Sequence, residues 1–134
     1  VIHNYAKPRD AERADALLAT IQLYLRERLP WIQALVVKKR RGKTEQERRG
    51  EVLFGANADR EIREYGVRYA VDLLMNQDAS FYLDTRYVRN WALEHLHGKS
   101  VLNTFAYTGS LGVAAYAAGA TRVLHLDLNI RLSP

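Results

Sequence analysis

The sequence predicts an α/β chain in two parts: a small N-terminal α+β unit with antiparallel strands over residues 1–78, then a βαβ unit over residues 79–134. Three observations carry that expectation. Apolar residues recur at helical spacing within residues 1–30. Apolar and polar residues alternate on either side of Gly66, which is the period of a strand. Beyond residue 79, the order strand, glycine turn, helix, strand is completed within about 30 residues, the length of a compact βαβ unit.

Pro8 and Asp10 suit the start of the first helix, and Arg9, Asp10, Glu12, Arg13 and Asp15 favour an exposed face. Leu17, Leu18, Ile21 and Leu25 form the stripe expected to be buried. Pro30 ends the helix because it has no N–H to donate. Residues 32–38 and 51–54 read as short strands, and the polar stretch 38–50 between them as a loop or long hairpin connection. Residues 62–72 form two alternating runs around Gly66, as in a hairpin or a bulged strand. Val67, Tyr69 and Val71 share one face of the second run.

In the second part, Asp84 is a good N-cap for a helix reaching about His95, and Gly98 suits its end. Residues 101–105 read as a buried strand, residues 108–110 as a turn and residues 111–118 as a helix of small residues closed by Gly119. Residues 122–127 read as a second buried strand. Trp31 and Trp91 are expected as core anchors, and Tyr65, Tyr69 and Tyr82 as core or strand-face residues.

Bulk composition narrows the function classes. A chain of 134 residues has about one domain's length, and 48% hydrophobic with 26% charged residues is the balance of an ordinary globular protein. The absence of cysteine excludes a disulfide framework, a zinc–thiolate site and a cysteine nucleophile within these residues. His3, His95, His97 and His125 show no metal-ligand spacing, so no metal site is expected. No apolar run approaches the roughly 20 residues that span a bilayer. Residues 1–5 lack the features of a secretory signal, so a soluble cytoplasmic protein with no membrane partner is expected. The net charge of +5 favours polyanions, nucleic acid foremost. The basic run Lys38, Lys39, Arg40, Arg41, Lys43, Arg48 and Arg49 can clamp RNA phosphates, or can stand as a solvated loop diluted by Glu45 and Glu47.

The βαβ unit is where chemistry can be argued. Its parallel strands end on one edge of the sheet, the edge at which such sheets bind ligands. The turn Phe105-Ala106-Tyr107-Thr108-Gly109 and the strand-end Asp127 belong to that edge. Gly109 allows close backbone approach, the next helix offers unpaired N–H groups, and Asp127 can accept the hydroxyl hydrogens of a ribose. Each such charge-assisted bond is worth about 1.5–3 kcal/mol. The bland alternatives are that Asp127 caps a turn and Gly109 serves helix packing. A dinucleotide site needs G-x-G-x-x-G, and the stretch Tyr107-Thr108-Gly109-Ser110-Leu111-Gly112 lacks the first glycine, which leaves room for a nucleoside cofactor without phosphate.

Residues 101–110, then Gly119-Ala120 and Val123-Leu124-His125-Leu126-Asp127-Leu128-Asn129, resemble the first cofactor motif and following strand of the ribosomal RNA large-subunit methyltransferases, the family that includes cytosine-C5 methyltransferases of 23S rRNA. Phe81-Tyr82-Leu83-Asp84-Thr85-Arg86, with Arg89 and Asn90 nearby, resembles the family's Phe-x-x-Asp-x-Arg stretch, and residues 66–72 are similar to the segment just upstream. The resemblance covers roughly residues 60–129. It implies the first βαβ of a Rossmann-like class I methyltransferase core, with S-adenosylmethionine as cofactor and RNA, chiefly ribosomal RNA, as partner. It further implies that Phe105, Tyr107, Thr108 and Gly109 line the cofactor pocket, that Asp127 holds the ribose, and that Asp84 and Arg86 border the same pocket. Asp84 has its N-cap role as the structural alternative, and Arg86 a surface ion pair.

The family's RNA-binding PUA domain is not recognisable here. The chain stops seven residues after Asp127, so a core interrupted after its second strand is expected, inactive on its own, with the catalytic residues beyond Pro134. An uncovered sheet edge of that kind is expected to recruit a second copy of the chain. Two other readings remain: a nicotinamide-dependent oxidoreductase fragment on the same βαβ, and a non-enzymatic nucleic-acid-binding module.

Overall fold

A computed structural model describes residues 1–42, 44–55, 60–75 and 80–128. Lys43 of the basic run and residues 129–134 lie outside the described residues, as does the side chain of Glu47. The chain forms two compact units, Val1–Arg60 with Asp72–Ala79, and Glu61–Val71 with Ser80–Pro134.

In the first unit, β1 (Ile2–Asn4) pairs in parallel with β2 (Leu35–Lys39), and β2 pairs antiparallel with β3 (Glu51–Phe54). Parallel neighbours need a crossover, and α1 (Ala11–Arg28), entered through a 3-10 turn at Pro8–Asp10, lies between them in the chain. The helical reading of residues 1–30 holds for Ala11–Arg28, with a strand before it, and one expectation is corrected: the sheet is mixed rather than antiparallel. Three residues are too few to show a periodicity, so Ile2-His3-Asn4 becomes a strand only through its partner β2. The 38–50 connection also holds a short helix, α2 (Glu45–Arg49).

Strand β2 is central, and Leu35, Val36, Val37 and Lys38 are all buried. Burial on both faces explains the unbroken apolar run there. Lys38 is fully enclosed, and its Nζ donates to the Met75 carbonyl at 2.9 Å. The α1 stripe is half-buried at Leu18, Ile21 and Leu25, whereas Leu17 is exposed. Trp31 is 74% exposed and anchors no core. It stands in the turn after Pro30, where connecting chain runs over the surface.

The second unit opens with the hairpin β4 (Glu61–Glu64) and β5 (Val67–Ala70). Tyr65 and Gly66 both have positive φ, 50° and 80°, as a tight two-residue hairpin turn of type I′ requires. The hairpin is therefore the outcome, not the bulged strand. Its register sets Ile62 opposite Tyr69 and Glu64 opposite Val67 on one face. Tyr69 and Val71 are buried on that face. The boundary expected at 78/79 is redrawn, because the hairpin groups with the later residues. Tyr69 packs edge-on against Phe81 at 5.2 Å, and Glu64 pairs with Arg89.

Burial raises the Tyr69 hydroxyl above its ordinary pKa of 10.0, with Arg89 partly offsetting the rise. The folded chain therefore resists an ionisation that the unfolded chain undergoes. Stability tied to this group is complete below about pH 10 and is lost as pH climbs through the raised value. The hydroxyl also has no hydrogen-bond partner among the described residues. Tyr69→Phe is thus expected to leave stability at pH 7 unchanged or up to about 1 kcal/mol higher, and to flatten part of the alkaline decline. Denaturant titrations between pH 7 and pH 11 check both.

A 3-10 turn at Leu83–Thr85 precedes α3 (Arg86–His95). Then follow β6 (Ser100–Thr104), α4 (Ser110–Ala117) and β7 (Arg122–Leu126). Asp84 is not the N-cap: Thr85 occupies that position, and the intervening 3-10 turn leaves Asp84 one residue too early. Strands β6 and β7 pair in parallel from Ser100↔Arg122 to Thr104↔Leu126. They are not the buried strands expected, since Leu102, Leu124 and Leu126 are 59%, 52% and 59% exposed. Helix α4 packs on the Asn103/His125 face, and alternation puts these leucines on the other. Trp91 is likewise 53% exposed, its ring stacked on His95 along the outer side of α3.

Candidate functional site

Because β6 and β7 are parallel and in register, their C-terminal ends share one edge. The chain leaving β6 stays on β7: the Ala106 N–H donates to the Leu126 carbonyl at 3.1 Å. One residue on, the Tyr107 N–H donates to Asp127 Oδ2 at 2.6 Å. Asp127 thus ties the loop backbone to the strand end, which its sequence position alone did not reveal. Phe105, Tyr107 and Gly109 have φ of 56°, 51° and 83°, so the loop is a run of left-handed residues alternating with ordinary ones. Only glycine adopts such angles without strain, so Phe105 and Tyr107 are held there by their surroundings. The Gly109 N–H closes a turn onto the Ala106 carbonyl at 2.7 Å, and α4 begins at the next residue.

The glycines also have a packing role. A Cβ on Gly112 would collide with the ring of His125, and one on Gly109 would come within 3.2 Å of it. His125 Nδ1 lies 3.3 Å from Asn103 Nδ2, so the ring is positioned between α4 and β6 as a structural group. Close approach of α4 to the sheet, as much as approach to a ligand, therefore demands these glycines.

The structure brings the two sequence motifs together. Thr108 Oγ1 donates to the Ser80 carbonyl at 2.6 Å, and the rings of Tyr82 and Tyr107 lie 5.2 Å apart. Of the residues singled out from the sequence, Phe105, Tyr107, Thr108, Gly109 and Asp127 gather at the sheet edge. Phe105 is 83% exposed there. Arg86 turns to the hairpin: its Nε is 3.8 Å from Glu64 Oε1, and its guanidinium lies 5.0 Å from the Tyr65 ring centre. Asp84 is exposed, and no hydrogen bond or ion pair holds it among the described residues.

Sequence reasoning missed Ser80 and Glu64 and named Arg89 only in passing. Arg89 is fully enclosed, with its Nε and Nη2 on the two Glu64 carboxylate oxygens at 2.6 and 3.0 Å. Its Nη1 donates to the Tyr82 carbonyl and to Thr85 Oγ1 at 2.8 and 2.6 Å, and the guanidinium stacks 4.0 Å from the Phe81 ring centre. Ile62 and Glu64 alternate onto the face of Tyr69, a period that marks Glu64 as inward-pointing. No local signal marks Ser80, whose left-handed φ of 57° is imposed by contacts.

Known proteins resemble this chain in sequence and fold. Residues 31–132 match the S-adenosylmethionine-dependent methyltransferase family. Ribosomal RNA large subunit methyltransferase I of Vibrio campbellii is 41% identical over 68 residues, which are 51% of this chain and 17% of that protein. The protein of the same name from Shewanella frigidimarina is 43% identical over 68 residues, with the same two shares, 51% and 17%. The chain thus spans 17% of the length of these curated relatives. Among solved structures, a protein from Streptococcus mutans assigned as a SAM-dependent methyltransferase superposes with a TM-score of 0.73 at 29% identity, covering 87% of this chain and 30% of that one. A further structure with the same figures is of a methyltransferase complexed with SAH. A SAM-dependent methyltransferase from Agrobacterium tumefaciens, at 22% identity and a TM-score of 0.56, covers 77% of this chain and 33% of its own and shares the fold. With the glycine-turn βαβ, its strand-end aspartate and a match over residues 31–132 in agreement, the chain belongs to the S-adenosylmethionine-dependent methyltransferase family.

Proposed function

We propose that the full-length protein transfers a methyl group from S-adenosylmethionine to a base of RNA, ribosomal RNA first of all. The observation that carries this reading is the Asp127 carboxylate at the end of β7, locked beside the left-handed 105–109 loop by the Tyr107 N–H. A carboxylate at that point suits the paired hydroxyl donors of a ribose, and the start of α4 offers backbone N–H groups to a carboxylate. When bound, S-adenosylmethionine supplies an electrophilic methyl group on a sulfonium. The residues of this chain bind and orient it, and positioning is a large part of such catalysis. The RNA half of the reading rests on the names of the relatives and on the charge of the first unit. There Lys39, Arg40, Arg41, Arg48 and Arg49 belong to β2, α2 and the segment joining them, with the Arg40 guanidinium 5.9 Å from the exposed Tyr5 ring centre. Cations beside an exposed aromatic suit a phosphate backbone with an unstacked base.

Calorimetric titration of the full-length protein with S-adenosylmethionine and with NAD tests the cofactor assignment. Asp127→Ala is expected to weaken S-adenosylmethionine binding at least about tenfold, or roughly 1.4 kcal/mol. Preference of the wild type for NAD, or an unchanged affinity in the variant, would overturn it. Transfer of a labelled methyl group to ribosomal RNA tests the substrate.

A further inference from the structure

The family resemblance gives Thr108 to the cofactor, yet its hydroxyl is committed elsewhere. It donates to the carbonyl of Ser80 at 2.6 Å. Ser80 is only 2% exposed and carries a φ of 57°, a conformation that persists in a serine only where neighbours impose it. The residues that follow it are held from behind. Arg89 stacks on Phe81, donates to the Tyr82 carbonyl and the Thr85 hydroxyl, and is itself fixed by the Glu64 carboxylate. Segment 80–85 is therefore a rigid shelf built on the hairpin. The Tyr82 ring meets the Tyr107 ring across from it, and the Thr108 hydroxyl hydrogen-bonds the shelf to the 105–109 loop.

That loop holds Phe105 and Tyr107 at left-handed angles that neither side chain favours. Left alone, it would populate other shapes, and apparent affinity falls with the fraction of molecules in the competent one. We propose that Thr108 is a positioning residue: its hydroxyl latches the 105–109 loop to the Arg89-clamped 80–85 shelf and keeps the loop in its binding shape before any cofactor arrives. The inference rests on the S-adenosylmethionine reading for what the loop binds. The latch itself is a property of the cofactor-free protein.

The test uses the full-length protein without cofactor, with Thr108→Val removing the donor at constant shape and Thr108→Ser retaining it. Hydrogen exchange followed by mass spectrometry is expected to run about tenfold faster in Thr108→Val at amides 80–82 and 105–109, with wild-type rates elsewhere and in Thr108→Ser. S-adenosylmethionine affinity should fall about three- to tenfold in Thr108→Val and recover in Thr108→Ser. In an Arg89→Lys background, where the shelf is already loosened, Thr108→Val should change exchange much less. Unaltered exchange in cofactor-free Thr108→Val combined with weakened cofactor binding would overturn the proposal and make Thr108 a direct ligand. Additive effects of Thr108→Val and Arg89→Lys on exchange would also overturn it. Failure of the wild type to bind S-adenosylmethionine would sink the functional reading instead, and the exchange rates would still decide the latch.

Discussion

Replacing Arg89 by methionine is expected to lower unfolding free energy by about 3–5 kcal/mol, the cost of breaking a buried ion pair from one side. The size follows from what is stranded. The Glu64 side chain is only 10% exposed and has two hydrogen bonds from Arg89, so its carboxylate loses both a counter-charge and donors at once. The Tyr82 carbonyl and the Thr85 hydroxyl each lose a donor as well. Arg86 does not substitute, since its Nε sits 3.8 Å from Glu64 and its side chain is 58% exposed. A Glu64→Leu/Arg89→Met double variant should recover much of the loss, because an apolar pair removes the uncompensated charge. It should stay below wild type, because the Tyr82 and Thr85 contacts remain broken. Urea denaturation of the four proteins of this cycle checks it, and strictly additive losses would contradict the geometry.

Gly55→Ala is expected to cost about 2–5 kcal/mol. Gly55 follows β3 with a φ of 93°, where an L side chain is strained by roughly 1–2 kcal/mol. The added Cβ would also run into the Gln33 carbonyl oxygen and the Ala34 backbone. Those are main-chain atoms of the segment entering β2, so relief requires moving a strand rather than rotating a side chain, which adds about 1–3 kcal/mol. Gly66→Ala is the control: its φ is 80°, yet a Cβ there meets nothing within 4 Å, so only the angular strain applies. Thermal melts of the two variants should differ by the steric part alone. Equal melting temperatures would remove the clash argument.

What was legible in the sequence was whatever is encoded locally. The hairpin around Gly66, the small-residue helix closed by Gly119 and the strand leading into Asp127 each follow from periodicity and punctuation within a few residues. The placement of the 105–109 turn and Asp127 at one sheet edge followed too, because parallel βαβ geometry leaves one place for the turn and the strand end. What escaped depends on partners distant in sequence. Ile2-His3-Asn4 is a strand only because β2 lies beside it, more than thirty residues away. Arg89 was named only as a neighbour of the Phe81–Arg86 stretch, because its burial depends on Glu64, 25 positions earlier. Asp84 had the chemistry of a cap but not the position, since a 3-10 turn shifted the helix start by one residue. Trp31 and Trp91 show the converse error: large aromatic residues suggested a core, but what covers a side chain is decided by neighbouring elements and not by its own hydrophobicity.

The two-residue turn Tyr65-Gly66 has a reach beyond its own loop. Strand side chains point alternately up and down, so the turn length acts as a frame counter for everything paired across it. At its present length, Glu64 and Tyr69 face the same way. A slip of β5 by one residue against β4 would send it to the opposite phase: Tyr69 and Val71 would face outward and Arg68 inward, beside Arg89. Such a slip would thus crowd Arg68 together with Arg86 and Arg89 around the single Glu64 carboxylate.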